Sequence, residues 1–174
     1  MSNGLQETVA LVTGASSGIG EATARALAAE GATVAVVARR KERLDALAGE
    51  IGGLAIEADV TDREQAVAAV ERTAEELGRL DIVVNNAGVM LLGAIVDAPV
   101  EEWDRMIELN LQGLLYIAHA ALPHLLRAAE REPRRVADLV NVSSVAVAGW
   151  AQVAASTSSP STASGLSVKP CARR

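Results

Sequence analysis

The chain has 174 residues, half of them apolar, and a formal net charge of −6. That length suits one domain with a real core, and the acidic balance argues against nucleic acid or an anionic membrane as partner. A single cysteine, Cys171, excludes an internal disulfide and a thiolate metal cluster, so no metal site is expected. No apolar run reaches the ~18 residues of a membrane span. Met1-Ser2-Asn3-Gly4 has neither the basic flank nor the apolar core of a signal peptide. The expectation is a cytoplasmic protein.

Thr8 to Val12 reads as a short buried strand, and Glu21 to Glu30 as a helix of Ala, Leu, Arg and Glu. Between them, Thr13-Gly14-Ala15-Ser16-Ser17-Gly18-Ile19-Gly20 has the form of a phosphate-binding turn. Gly14 permits the tight bend, Gly18 removes a Cβ from the path of a pyrophosphate, and Gly20 lets the helix lie close on the strand. The N–H groups of the first helical turn and its positive dipole end then face the anion. A plain strand-to-helix turn could carry the same glycines, but the matching strand and helix on either side favour nucleotide binding.

After Gly31, Thr33-Val34-Ala35-Val36-Val37-Ala38 is the β-branched run of a strand covered on both faces. It ends at Arg39-Arg40-Lys41. Glu42 to Glu50 predicts a short helix closed by Gly52 and Gly53, and Leu54 to Ala58 a third strand ending at Asp59-Val60. Thr61-Asp62-Arg63-Glu64 opens a helix with Val67, Val70, Ala74 and Leu77 on one face, stopped by Gly78. Asp81-Ile82-Val83-Val84 is a fourth strand, ending at Asn85-Asn86-Ala87-Gly88. Val100 to Ala129 is the longest helical stretch, interrupted at Gly113 and Pro123 and ended by Pro133. Val136 to Val142 is a fifth strand, ending at Ser143-Ser144. His119 and His124 lie five apart on the long helix, so they do not share a face as metal ligands would, and they read as solvated or packed. Strands alternating with helices predict an α/β, doubly wound parallel sheet, a Rossmann fold. The motif residues fall just past the strands, on the edge where such sheets bind ligands.

Together and in order, T-G-A-S-S-G-I-G at 13–20, Asp59-Val60, Asn85-Asn86-Ala87-Gly88, Asn110 and Asn141-Val142-Ser143-Ser144 resemble the classical short-chain dehydrogenases/reductases, over about residues 5 to 146. The wording of the first motif and of A-G-V-M-L-L-G is similar to bacterial NADP-dependent members, including clavulanic-acid-type dehydrogenases. The resemblance implies hydride transfer between a nicotinamide and a small-molecule carbonyl or secondary alcohol. It assigns Gly14, Ser16, Ser17, Gly18, Ile19 and Gly20 to the pyrophosphate and its ribose, and Asp59 and Val60 to the adenine. Asn86, Ala87 and Gly88 would line the cofactor cleft. Asn110 would organise a proton-relay water, and Ser144 would hydrogen-bond the substrate. The long helix would supply a face for a homo-oligomer. NAD sites usually carry an acid at the end of strand two for the ribose 2′-OH. Here Arg39 and Arg40 stand there, and guanidinium forks suit a phosphate dianion, so NADP(H) is expected over NAD(H).

The family's general acid/base tyrosine and its partner lysine, spaced Tyr-x-x-x-Lys, belong thirteen residues after the serine. Thr157 and Ser161 occupy those places, and the chain's one tyrosine, Tyr116, is in the long helix. From about Val147 the text becomes a Ser/Thr/Pro/Gly mixture without period, expected to form a disordered tail at 147–174 beside an incomplete nucleotide-binding domain at 1–146. The family continues instead through further strands and a helix, so the fold is expected to be C-terminally truncated. A reading-frame slip would account for both departures. Shifted codons permit a tyrosine across Ser156-Thr157 and a lysine four codons later across Pro160-Ser161. The coding DNA tests this directly: without a one-base change that restores the helix, the slip is excluded. The alternative to an enzyme is a nucleotide-binding module without catalysis, or a fragment.

Overall fold

A computed structural model describes residues 4–91 and 98–143. Five strands, β1 (Val9–Thr13), β2 (Thr33–Ala38), β3 (Leu54–Glu57), β4 (Ile82–Asn85) and β5 (Asp138–Asn141), form one sheet in the order β3-β2-β1-β4-β5. Every pairing is parallel. Helices α1 (Gly18–Ala29) and α2 (Lys41–Ile51) cover one face, while α3 (Arg63–Leu77) and α5 (Leu114–Ala129) cover the other. Between Asn85 and α5 lie α4 (Val100–Ile107) and a π-helical segment, Glu108–Gly113.

Alternation along β1 and β2 divides the core. Leu11, Ala35 and Val37 join Val70, Ile117 and Leu125 on the α3–α5 side. Val12, Val34 and Val36 join Ala24, Leu44 and Leu47 on the other. All five residues of β1 are buried, as a strand sandwiched between helix layers requires. The small side chains allow this close approach.

The element boundaries differ from the sequence expectation where tertiary contacts decide them. The first strand is one residue later, because Thr13 pairs with Val37. The first helix begins at Gly18 rather than Glu21, so Gly18–Gly20 form its opening turn behind an extended Ser17. The fifth strand is Asp138–Asn141 rather than 136–142, since β4 offers only Ile82–Asn85 as partners. Pro123 does not interrupt the long helix, and α5 runs through it. The interruption is the π-helical segment, held by two tertiary contacts. Asn110 bonds to Val89, and a Cβ on Gly113 would stand 3.1 Å from both Val60 Cγ2 and the Val60 carbonyl. The helix ends at Ala129, ahead of Pro133. The segment 147–174 lies outside the described residues.

At the lower end of the sheet, the fully buried Asp81 carboxylate accepts from the Val9 N–H at 2.9 Å and from both Nε and Nη2 of Arg79 at 2.8 and 2.6 Å. These bonds hold the Arg79 guanidinium above its ordinary pKa, against a smaller opposing effect of burial. At the upper end, the Thr13 hydroxyl accepts from the N–H groups of Asn86 and Ala87, both at 3.0 Å, and donates to the Val84 carbonyl at 3.4 Å. That hydroxyl joins the end of β1 to the loop after β4. Thr13→Val keeps the shape and strands two N–H groups, so it is expected to cost about 1–3 kcal/mol. A urea unfolding midpoint equal to that of the unsubstituted chain would remove Thr13 from this role.

Candidate nucleotide cleft

The strand order doubles back between β1 and β4: β2 and β3 lie to one side of β1, β4 and β5 to the other. Loops leave the two central strands in opposite directions there and open a crevice above the carboxyl ends. A cavity of about 430 Å³ occupies it, lined by Gly14, Ser16, Ser17, Ile19, Ala38, Arg39, Arg40, Ala58, Asp59, Val60, Asn86, Ala87, Gly88 and Leu109.

The glycine turn shapes the floor. Gly14 has φ +66°, and a Cβ there would sit 2.8 Å from Ala87 Cα. A Cβ on Gly20 would lie 2.5 Å from Asn86 Nδ2 and 2.6 Å from the Gly14 carbonyl oxygen. Both positions therefore accept only hydrogen. Gly18, with φ +61°, has open space where its Cβ would point. Asn86 locks the turn from the other side, its Nδ2 donating to the Thr13 carbonyl at 3.0 Å. The Ser17 side chain caps no backbone N–H of α1, which leaves the first-turn donors and the positive helix end available.

Charge is distributed unevenly around the rim. Arg40 donates from Nε and Nη2 to Ser16 Oγ at 3.1 and 2.8 Å, and from Nη2 to Ser17 Oγ at 2.6 Å. Its guanidinium thus lies over the glycine turn. Arg39 turns instead toward Asp59, with Nη1 at 3.6 Å from Oδ2. Partial burial pushes the Asp59 carboxyl up, but bonds from the Thr61 N–H and hydroxyl, helped by Arg39, outweigh it and hold the group below its ordinary value. At the inner end, Asn110 is bound both ways to Val89: Oδ1 accepts from the N–H and Nδ2 donates to the carbonyl, each at 2.8 Å.

Eleven of the residues singled out in the sequence line this one cavity. Gly18, Gly20 and Asn110 shape its walls without lining it, and Ser144 lies outside the described residues. Sequence reasoning missed Ala38, Ala58 and Leu109 as lining residues. Each immediately precedes a residue that was singled out, and an apolar residue at a strand end carries little signal of its own. Among the described residues, no group of three or more His, Cys, Asp or Glu could hold a metal ion. No helix among them is long and apolar enough to cross a membrane. His124 reaches from α5 to α3, with Nε2 at 3.0 Å from Glu71 and Nδ1 at 2.8 Å from Arg127.

The sequence profile of the short chain dehydrogenases matches residues 8–168. An uncharacterized oxidoreductase of Staphylococcus aureus (strain USA300) is 41% identical over 144 residues, covering 81% of this chain and 60% of that protein. A short chain dehydrogenase from Burkholderia cenocepacia, solved in complex with NADP, superposes with a TM-score of 0.67 at 40% identity, covering 70% of this chain and 52% of that one. The 3-ketoacyl-(acyl-carrier-protein) reductase from Brucella melitensis, complexed with NADH, gives 0.76 at 34% identity, covering 80% and 58%. The chain spans about 60% of the length of the first of these relatives. Fold, strand-end cleft and sequence agree: this chain belongs to the short-chain dehydrogenase family, a family of oxidoreductase enzymes.

Proposed function

We propose that the cleft binds NADP(H) in preference to NAD(H), and that this chain holds the cofactor while lacking most of the family's chemistry. The observation that carries the cofactor reading is Arg40, whose guanidinium lies on the Ser16 and Ser17 hydroxyls at the end of β2. An adenosine 2′-phosphate placed there meets a cation and two hydroxyls. An NAD-type site would offer an acid for the 2′-OH. The acid that lines the cleft, Asp59, is paired with Arg39 one strand further out. Of the two related structures, one was solved in complex with NADP and the other with NADH.

The open space at Gly18 and the free donors of α1 fit a pyrophosphate. Gly14, Ile19 and Gly20 complete that cradle, Asp59 and Val60 take the adenine, and Asn86, Ala87 and Gly88 form the wall toward the nicotinamide. The bound cofactor supplies a hydride to, or accepts one from, a carbonyl or secondary alcohol. We assign Asn110 to organising a proton-relay water and Ser144 to the substrate oxygen. Thr157 and Ser161 stand in the sequence where the tyrosine and lysine would serve, and their alkyl hydroxyls supply neither the acidity of a phenol nor the positive charge of an ammonium group. Residues 1–146 form the nucleotide-binding domain in this reading, with 147–174 a separate tail.

Calorimetric titration should give binding of NADP⁺ at least about tenfold tighter than NAD⁺, and Arg40→Ala should sharply reduce that difference while leaving NAD⁺ affinity unchanged, since a hydrogen bond to a charged group is worth ~1.5–3 kcal/mol. Equal affinities, unmoved by Arg40→Ala, would refute the preference. With NADPH and simple ketones or aldehydes, turnover should fall below an intact family enzyme by ~10²–10⁴, the usual contribution of a general acid/base. Turnover at intact rates would refute the loss of chemistry.

Self-association has its own support. Trp103, Ile107, Leu111, Leu115, Leu122 and Leu126 are each more than 40% exposed along α4, the π-helical segment and α5. A second copy laid antiparallel about Leu114–Leu115 sets Trp103 against Leu126, Ile107 against Leu122, and Glu102 against Arg127. That pairing sets apolar residues against apolar ones and an acid against a base, as a two-fold interface requires. Sedimentation should show a dimer that Leu115→Glu converts to monomer. A monomer at all concentrations would contradict the pairing.

A further inference from the structure

A second cavity, of about 200 Å³, lies between α1 and α2 and meets the nucleotide cleft at Ser16. Glu21 and Arg25 line it from α1; Arg43, Leu47 and Glu50 line it from α2. The cations around the start of α2 differ in what they are bound to. Arg39 faces Asp59. Lys41 pairs with Asp45 at 2.5 Å. Arg40 lies on the two serines. The Arg43 side chain has no ion-pair or hydrogen-bond partner among the described residues, although two carboxylates share its groove.

Those carboxylates are already engaged. Arg25 donates to Glu21 at 2.6 Å and, through Nε and Nη2, to both oxygens of Glu50 at 2.7 and 2.8 Å. The bonds from Arg25 hold the Glu50 carboxyl below its usual range. Arg25 thus ties α1 to α2 and keeps both acids occupied. Arg40 immediately precedes α2 and Arg43 lies in its first turn, the Arg43 N–H donating to the Arg40 carbonyl at 3.2 Å. That turn also carries the positive end of the helix.

We propose that Arg43 is the second guanidinium of the 2′-phosphate subsite: a phosphate monoester seated at Ser16 lies between Arg40 on the cleft side and Arg43 on the groove side. Arg25 is the positioning residue that keeps Arg43 unneutralised. The inference rests on the NADP reading above and assigns the selectivity to two side chains rather than one. A dianion is matched by two cations, and the groove gives Arg43 the room to turn toward Ser16.

The test is titration of the full chain with NADP⁺, NAD⁺, 2′,5′-ADP and 5′-AMP. Arg43→Met should weaken NADP⁺ and 2′,5′-ADP about tenfold, by the same charged-hydrogen-bond scale, and leave NAD⁺ and 5′-AMP unchanged. Arg43→Lys should recover part of the loss. Arg25→Met should weaken the 2′-phosphorylated ligands about threefold, as expected for a freed exposed carboxylate, and should add nothing in the double variant. If Arg43→Met binds NADP⁺ as the unsubstituted chain does, or loses NAD⁺ affinity in equal measure, the Arg43 assignment is wrong. If the unsubstituted chain itself fails to prefer NADP⁺, the reading beneath the assignment fails instead.

Discussion

The whole arrangement depends on how closely the ends of β1 and β4 approach. Gly14 and Gly20 have no room for a side chain: Ala87 Cα, the Gly14 carbonyl and the Asn86 amide already occupy the space. The Thr13 hydroxyl and the Asn86 carboxamide close the gap with hydrogen bonds in both directions. With the loops held that tightly, α1 starts directly beneath the crevice and presents its free N–H groups to it. The two arginines at the end of β2 then fall on opposite sides of the rim. Packing at one point therefore fixes both the free N–H groups of α1 and the charge around them.

Most of this was legible from residue order. Buried strands announce themselves as unbroken runs such as Thr33–Ala38, and parallel strands buried on both faces leave few alternatives for their arrangement. The motif T-G-A-S-S-G-I-G marked the cleft because backbone proximity demands glycine wherever a Cβ would collide. What was not legible depends on long-range geometry. No local rule distinguishes Arg39 from Arg40, yet one pairs with Asp59 and the other lies on Ser16 and Ser17. Pro123 reads locally as a helix break, whereas the distortion falls at Glu108–Gly113, where Asn110 reaches Val89 and Gly113 meets Val60. Ala38, Ala58 and Leu109 carry no chemistry and became part of the site only by position.

Binding and chemistry separate along the chain. The parts proposed to hold a dinucleotide come from the ends of β1 to β4, in the described fold. The parts that would move a proton come after β5, where Thr157 and Ser161 replace the required pair. The exposed apolar residues on α4 and α5, and on β5 at Leu139 and Val140, mark where the fold leaves apolar surface uncovered.

A single structure determination tests the central claim most directly: a crystal structure of the full chain with NADP⁺ bound. The account predicts the pyrophosphate against the N–H groups at Gly18–Gly20, the adenine beside Asp59 and Val60, and the 2′-phosphate touching Ser16 and Arg40. A cofactor seated elsewhere, or a 2′-phosphate pointing into solvent away from Arg40, would contradict it.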